Sequence, residues 1–185
     1  MPSSADVEAA LTSGAAEIVR AARAWPHPVV LIDGRSGAGK STIAAEVSRV
    51  LDAELLALDA VYPGWDGLAS GVEQVREGVL SPLERGASGS WTGWDWANDR
   101  PAGEHTVQPR RPLVVEGSGI LTPATRELSH VQVWVESPES SRRARALARD
   151  GETYRPHWMR WAAQEERHLR DHDPRALASI VIYVP

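Results

Sequence analysis

The sequence predicts a single α/β domain built on an open parallel sheet, and three observations carry that prediction. A β-branched run, residues 29–32, ends in Asp33 and leads straight into a glycine-rich loop, Gly34 to Ser41. Ile43, Val47, Val50 and Leu51 then recur at helical spacing, so strand, tight loop and helix follow one another. Two further apolar runs stop at acids: residues 54–58 before Asp59, and residues 113–115 before Glu116. At 185 residues, one domain with a sizeable core is the natural expectation.

The loop reads Gly34-Arg35-Ser36-Gly37-Ala38-Gly39-Lys40-Ser41, two glycines spaced to turn around a phosphate and followed by Lys and Ser. Glycines let the backbone aim several N–H groups inward, and the positive end of the following helix adds to them. Gly34, Ser36, Gly37, Ala38, Gly39, Lys40, Ser41 and Thr42 are therefore the candidate nucleotide contacts. Lys40 is expected to reach the β- and γ-phosphates, and Ser41 to offer its hydroxyl to Mg²⁺. Lys40 is also the only lysine in the chain, every other permanently basic side chain being arginine. A compact ammonium has been kept at the one place that calls for it.

Composition excludes several classes. The net charge of −5 gives no basic nucleic-acid footprint. Without cysteine there is no disulfide, thiolate metal site or thiol nucleophile. No apolar run approaches the roughly 20 residues of a membrane span, and the N-terminus lacks the charge-then-apolar pattern of a secretory signal. A cytoplasmic protein is the expectation. Eight Trp with no Phe is unusual, and three of the eight fall between Trp91 and Trp96.

In chain order, residues 5–24 carry Val7, Leu11, Ala15, Ile18 and Val19 on one stripe, an amphipathic packing helix closed by Pro26 and Pro28. The first 28 residues are expected to hold this helix. Asp59, at the carboxyl end of its strand, is placed where such sheets bind ligands; it fits a proton acceptor, a holder of Mg²⁺-bound water, or a turn cap. Tyr62 to Gly67 reads as a turn, in which Asp66 fits either a grip on substrate hydroxyls or a helix N-cap. Residues 72–83 look helical.

Residues 86–112 form a Gly-, Pro-, Arg- and Trp-rich insertion on the expected substrate side. Its centre alternates Trp91, Trp94, Asp95 and Trp96, which suits either a wall that stacks on a flat ligand or a β-hairpin with one aromatic face on the core. Asp99 and Arg100 follow closely enough to belong to the same site. Glu116, ending the 113–115 run, is placed to support Mg²⁺ through its water shell. Residues 130–135 read as the next strand. The helix that follows puts Ala144, Leu147 and Ala148 on one face and Arg142, Arg145 and Arg149 on the other. That basic face is either a lid over a transferring phosphoryl group or simply solvated. A further helix, residues 155–169, precedes a last strand at residues 180–183. His168 and His172 are four apart, but the DHDP stretch reads as a helix end rather than a metal site.

With the loop, Asp59, Glu116 and the arginine helix in this order, the chain resembles the uridine kinase-like branch of the P-loop nucleoside and nucleotide kinases over residues 29–184. The carrying matches are Asp59-Ala60-Val61-Tyr62, Glu116-Gly117, Trp94-Asp95-Trp96 and the arginines 142, 145 and 149. The resemblance implies a three-layer P-loop NTPase fold with a mainly parallel five-stranded sheet and an arginine lid over residues 138–156. It implies ATP and Mg²⁺ as cofactors and a nucleoside-like hydroxyl acceptor, in a monomer or homodimer. By the same resemblance Asp59 is the catalytic base, and Ser41, Asp59 and Glu116 serve the metal. Tyr62, Asp66, Trp94, Asp95, Trp96 and Arg100 face the acceptor, and Lys40 with the lid arginines spreads the developing charge. A nucleotide-dependent switch working with a protein partner is the competing reading; ATP consumption that depends on a small molecule, or on a protein, separates the two.

Overall fold

The computed structural model describes residues 3–185, apart from the side chains of Arg149, Asp150, Glu152 and Thr153. Helix α1 (Ser4–Ala22) opens on a capping box between Ser3 and Asp6, then β1 (Val29–Asp33) passes through the loop into α2 (Lys40–Leu51). Strand β2 (Glu54–Ala57) follows, one residue shorter than expected, because Leu58–Ala60 curls into a 3₁₀ turn. Five strands then form one parallel sheet in the order β2-β5-β1-β6-β7, with β5 (Leu113–Glu116), β6 (Val131–Glu136) and β7 (Ile180–Tyr183). This is the α/β, P-loop-type layout that the sequence predicts. Strand β1 lies at the centre, flanked by strands reached in opposite directions, so the crevice at its carboxyl end is the switch point where such sheets bind ligands.

Register brings the chemistry together. Glu116 lies opposite Ile32 on one side and Ala57 on the other, so its tip sits between the start of the loop and the turn that carries Asp59. The alternation along β1 divides the core: Val30 and Ile32 face α1 and α2, while Val29 and Leu31 face the opposite layer. That second layer holds α3 (Leu68–Val75), a π-helical turn (Arg76–Leu80), α4 (Ser81–Glu84) and the later helices. The helix expected at residues 72–83 therefore starts earlier and carries a π turn. There Ser90 O would lie 2.4 Å from a Cβ on Gly78, which is how closely the next element packs.

That element is a hairpin, with Trp91 packed against the core. Strands β3 (Gly89–Asp95) and β4 (Arg100–Val107) pair antiparallel as a separate two-stranded sheet, with Trp91 stacked on its cross-strand partner His105. Beyond β5 comes the short α5 (Pro123–Arg126), and after β6 the long α6 (Glu139–Tyr154), broken at Gly151 (φ 56°, ψ −134°). A 3₁₀ turn, Arg155–His157, leads into α7 (Trp158–His172), followed by α8 (Pro174–Leu177). The DHDP stretch does end α7, with Asp173 in the left-handed conformation, but His168 lies well inside the helix. Among the described residues no helix is long and apolar enough to cross a membrane.

Candidate functional site

The loop between β1 and α2 has the shape of a phosphate cradle. Gly37 (φ 79°) and Gly39 (φ 107°) adopt backbone conformations that a side chain disfavours, and a Cβ on Gly37 would lie only 2.1 Å from Arg142 O. Gly39 is the N-cap of α2 and makes no side-chain cap, so the amides opening α2 have no side-chain acceptor from the cap position. Ala38 is buried and donates its N–H to Arg35 O at 3.0 Å, closing the turn. Lys40 is 8 % exposed and reaches across the loop, donating to Arg35 O at 3.2 Å and Ser118 Oγ at 3.4 Å. A cavity of about 180 Å³ opens here, lined by Gly37, Gly39, Lys40, Ser41, Thr42, Arg145 and Ala146.

Beside Lys40, the Ser41 hydroxyl donates to Glu116 Oε1 at 2.9 Å. Acids gather round this point. Tyr62 is fully buried and donates its hydroxyl to Ser118 O at 2.7 Å. Burial pushes its phenol well above the ordinary range, and the charges of Asp59, Asp33, Glu116 and Glu165 push it the same way. Asp59 itself is exposed on its 3₁₀ turn. Among the described residues no three His, Asp or Glu cluster as a metal cage. A hydroxyl and one carboxylate at the loop suit a hard cation such as Mg²⁺, which keeps several waters and takes its remaining ligands from phosphate.

The basic face of the arginine helix turns toward the loop. Arg142 and Ala146 are buried, whereas Ala144 and Ala148 are exposed and Leu147 is only half-buried. The arginine face packs inward because the loop presents carbonyl oxygens to it. Arg142 donates to Ser36 O (3.2 Å) and Ser137 O (3.1 Å); Arg145 donates to Gly37 O (2.8 Å), Pro185 O (3.0 Å) and Ser137 Oγ (2.5 Å). Neither guanidinium is a solvated charge, and desolvation lowers the pKa of both. The Arg149 side chain lies outside the described residues.

Most of the residues assigned to an acceptor have polar or ring partners of their own. Tyr62 supports the turn at Ser118 from below. Asp66 pairs on the surface with Arg160 and does not cap α3, whose N-cap is Gly67 without a side-chain bond. Asp95 holds the hairpin tip, accepting from Ala97 N, Asn98 N and Asn98 Nδ2, with Arg100 at 3.6 Å; the Asn98 amide first, then these others, lower its pKa. Trp94 is half-buried and its indole N–H has no partner among the described residues. Trp96 is exposed, donates to Asp59 O at 2.7 Å, and leans on Trp65, which stacks on His157 at 4.2 Å. Tyr62 reaches the site through Ser118, whose hydroxyl accepts from Lys40, and Trp96 reaches it through the Asp59 carbonyl.

Sequence reasoning missed the layer behind the loop. Asp33 accepts from Gly34 N (2.6 Å), Gly119 N (2.9 Å) and Leu121 N (2.8 Å), and lies 3.0 Å from His168 Nε2. One turn earlier on α7, Glu165 accepts from Ser36 N (2.6 Å), Arg35 Nε (3.2 Å) and the Ser118 hydroxyl (3.0 Å). The available signal was the spacing: Glu165 and His168 share one helix face with Trp161, a polar pair on a core stripe.

A central strand, a phosphate-type loop and acids at two neighbouring strand tips make up a P-loop-type α/β fold. Comparison with solved structures agrees. The chain is similar to a protein from Bacillus stearothermophilus described as a possible uridine kinase, with TM-score 0.68 and 17 % identity over 93 % of this chain and 98 % of that one. It is also similar to a candidate fructose transport system kinase from a Silicibacter species, with TM-score 0.52 and 20 % identity over 92 % and 98 %. No protein-family model matches the chain, and no curated protein matches it. At these identities the likeness is one of fold.

Proposed function

We propose that this chain is a Mg²⁺- and ATP-dependent phosphotransferase that moves the γ-phosphoryl group to a hydroxyl of a small molecule, a nucleoside or similar metabolite. The observation that carries the reading is the Ser41–Glu116 contact of 2.9 Å set beside a nearly buried Lys40 in a loop of positive-φ glycines. The main-chain N–H groups of Gly37 and of residues 39–41 cradle the phosphates while Lys40 neutralises their outer oxygens. Ser41 and Glu116 hold Mg²⁺, which when bound supplies charge neutralisation to the phosphate oxygens. Asp59, exposed at the adjacent strand tip, accepts the acceptor's hydroxyl proton. The exposed Trp96 ring, tied to the Asp59 carbonyl, offers a flat surface beside that base, which supports a planar acceptor.

The test is an ATP-consumption screen over nucleosides, sugars and small alcohols. A small acceptor should raise turnover. Lys40→Ala and Asp59→Asn should each lower it about a hundredfold or more without loss of folding. ATP consumption that responds to a protein partner and to no small molecule favours the switch instead, and near-full rate in Asp59→Asn removes the base assignment.

A further inference from the structure

The loop already holds an anion of its own. Glu165, on α7, is 3 % exposed and lies 129 residues from its main-chain partner Ser36. Every polar contact it makes is from a donor: the Ser36 N–H and the Ser118 hydroxyl on Oε1, and the Arg35 guanidinium on Oε2. Ser118 Oγ in turn accepts from the Lys40 ammonium at 3.4 Å and lies 3.1 Å from Gly34 O. One hydroxyl therefore separates this carboxylate from the lysine proposed to meet the terminal phosphate. Among the described residues Lys40 has no ion pair of its own, while Arg35 is shared between Glu165 and Glu166.

Three cationic groups, Lys40, Arg35 and Arg142, converge on a short stretch of backbone. Without a counter-charge they repel one another, and the loop amides lack an acceptor. Glu165 supplies both needs, as an oxygen of a bound phosphate would. A triphosphate entering the loop then meets a fixed negative charge near its terminal group, while a diphosphate stops short of it. The carboxylate meets the loop at Ser36 and stands one hydroxyl from Lys40, the residue proposed to meet the terminal phosphate.

We infer that Glu165 is a resident counter-anion of the phosphate loop that sets its preference between triphosphate and diphosphate, weakening the grip on the γ-phosphate. The inference rests on the nucleotide-binding reading above and deepens it. Its consequence is a loop that holds its donor loosely until acceptor and metal complete the site.

The test compares the Mg²⁺ complexes of ADP and of an imido-bridged, non-hydrolysable ATP analogue, using tryptophan emission or calorimetry. In the native chain the analogue should bind no more than about twofold tighter than ADP. Glu165→Gln keeps the shape and removes the charge; it should raise the preference for the triphosphate about fivefold or more, mainly through tighter triphosphate binding. Glu165→Asp retains the charge and should stay within about twofold of the native ratio. Parallel weakening of both nucleotides in Glu165→Gln makes the residue a scaffold only and overturns the inference. So does a native preference for the triphosphate of about tenfold or more, a measurement that needs no variant. If the native chain binds neither nucleotide, the nucleotide-binding reading itself fails, and this inference with it.

Discussion

His168 Nε2 stands 3.0 Å from Asp33 Oδ2, tying α7 to the last residue of β1 immediately ahead of the phosphate loop. The same carboxylate takes the N–H groups of Gly34, Gly119 and Leu121, so one side chain fixes the start of the loop, the turn after β5 and a helix 135 residues away. It is 1 % exposed, and an acid so deeply buried is stable only when its acceptor capacity is filled.

Asp33→Asn should therefore be costly. The amide offers one good acceptor where the carboxylate had two, and turns an N–H₂ toward backbone donors. The expected loss is about 2–4 kcal/mol, read as a lower denaturant midpoint with unchanged slope.

Gly37→Ala should displace the lid helix from the loop. The new Cβ would meet Arg142 O at 2.1 Å, and the residue sits at φ 79°. Backbone strain and the clash together should cost about 2 kcal/mol or more, and nucleotide binding should weaken with it. Gly103→Ala, where nothing lies within 4 Å of the added carbon, is the control expected to keep native stability.

Arg145→Ala removes donors from Gly37 O, Pro185 O and Ser137 Oγ at once. A loss of about 1–3 kcal/mol in thermal or denaturant unfolding is expected. Arg145→Lys should recover little of it, since a single ammonium cannot span the three oxygens that the planar fork reaches.

Alkali should reveal Tyr62. Its folded pKa is raised, first by burial and then by Asp59, Asp33, Glu116 and Glu165, so the neutral phenol is favoured in the folded state. A raised pKa contributes stability that is whole below the unfolded value, near pH 10, and that fades as pH climbs above it. In a spectrophotometric titration one of the three tyrosines should ionise only as the chain unfolds. Tyr62→Phe should remove that late step and cost about 1 kcal/mol through the lost bond to Ser118 O.

The parts of the site that were legible in the sequence are the local ones. Gly37, Gly39, Lys40 and Ser41 act through backbone conformation and fixed spacing, and a loop of eight residues writes that spacing directly into the chain. The acids at the ends of apolar runs were legible for the same reason, because a buried strand and its tip are adjacent in sequence. Where a helix face had to choose a partner, the sequence left alternatives open: the arginine face of α6 fitted a lid or a solvated surface, and Arg142 and Arg145 pack on loop carbonyls from over a hundred residues away. Asp95 and Asp66 have partners that sequence reasoning did not name, the hairpin tip and Arg160.

By itself, then, the sequence determined the α/β class, the order of strand, loop and helix, and the cradle-shaped backbone of the loop, because these depend on hydrophobic periodicity and on which residues can turn the backbone. Only the tertiary structure decided what stands behind and over that cradle. Glu165, His168 and the two inward arginines are placed by the packing of α6 and α7 on the loop. Polar side chains choose among donors and acceptors that folding brings within about 3 Å, and no local pattern encodes that choice.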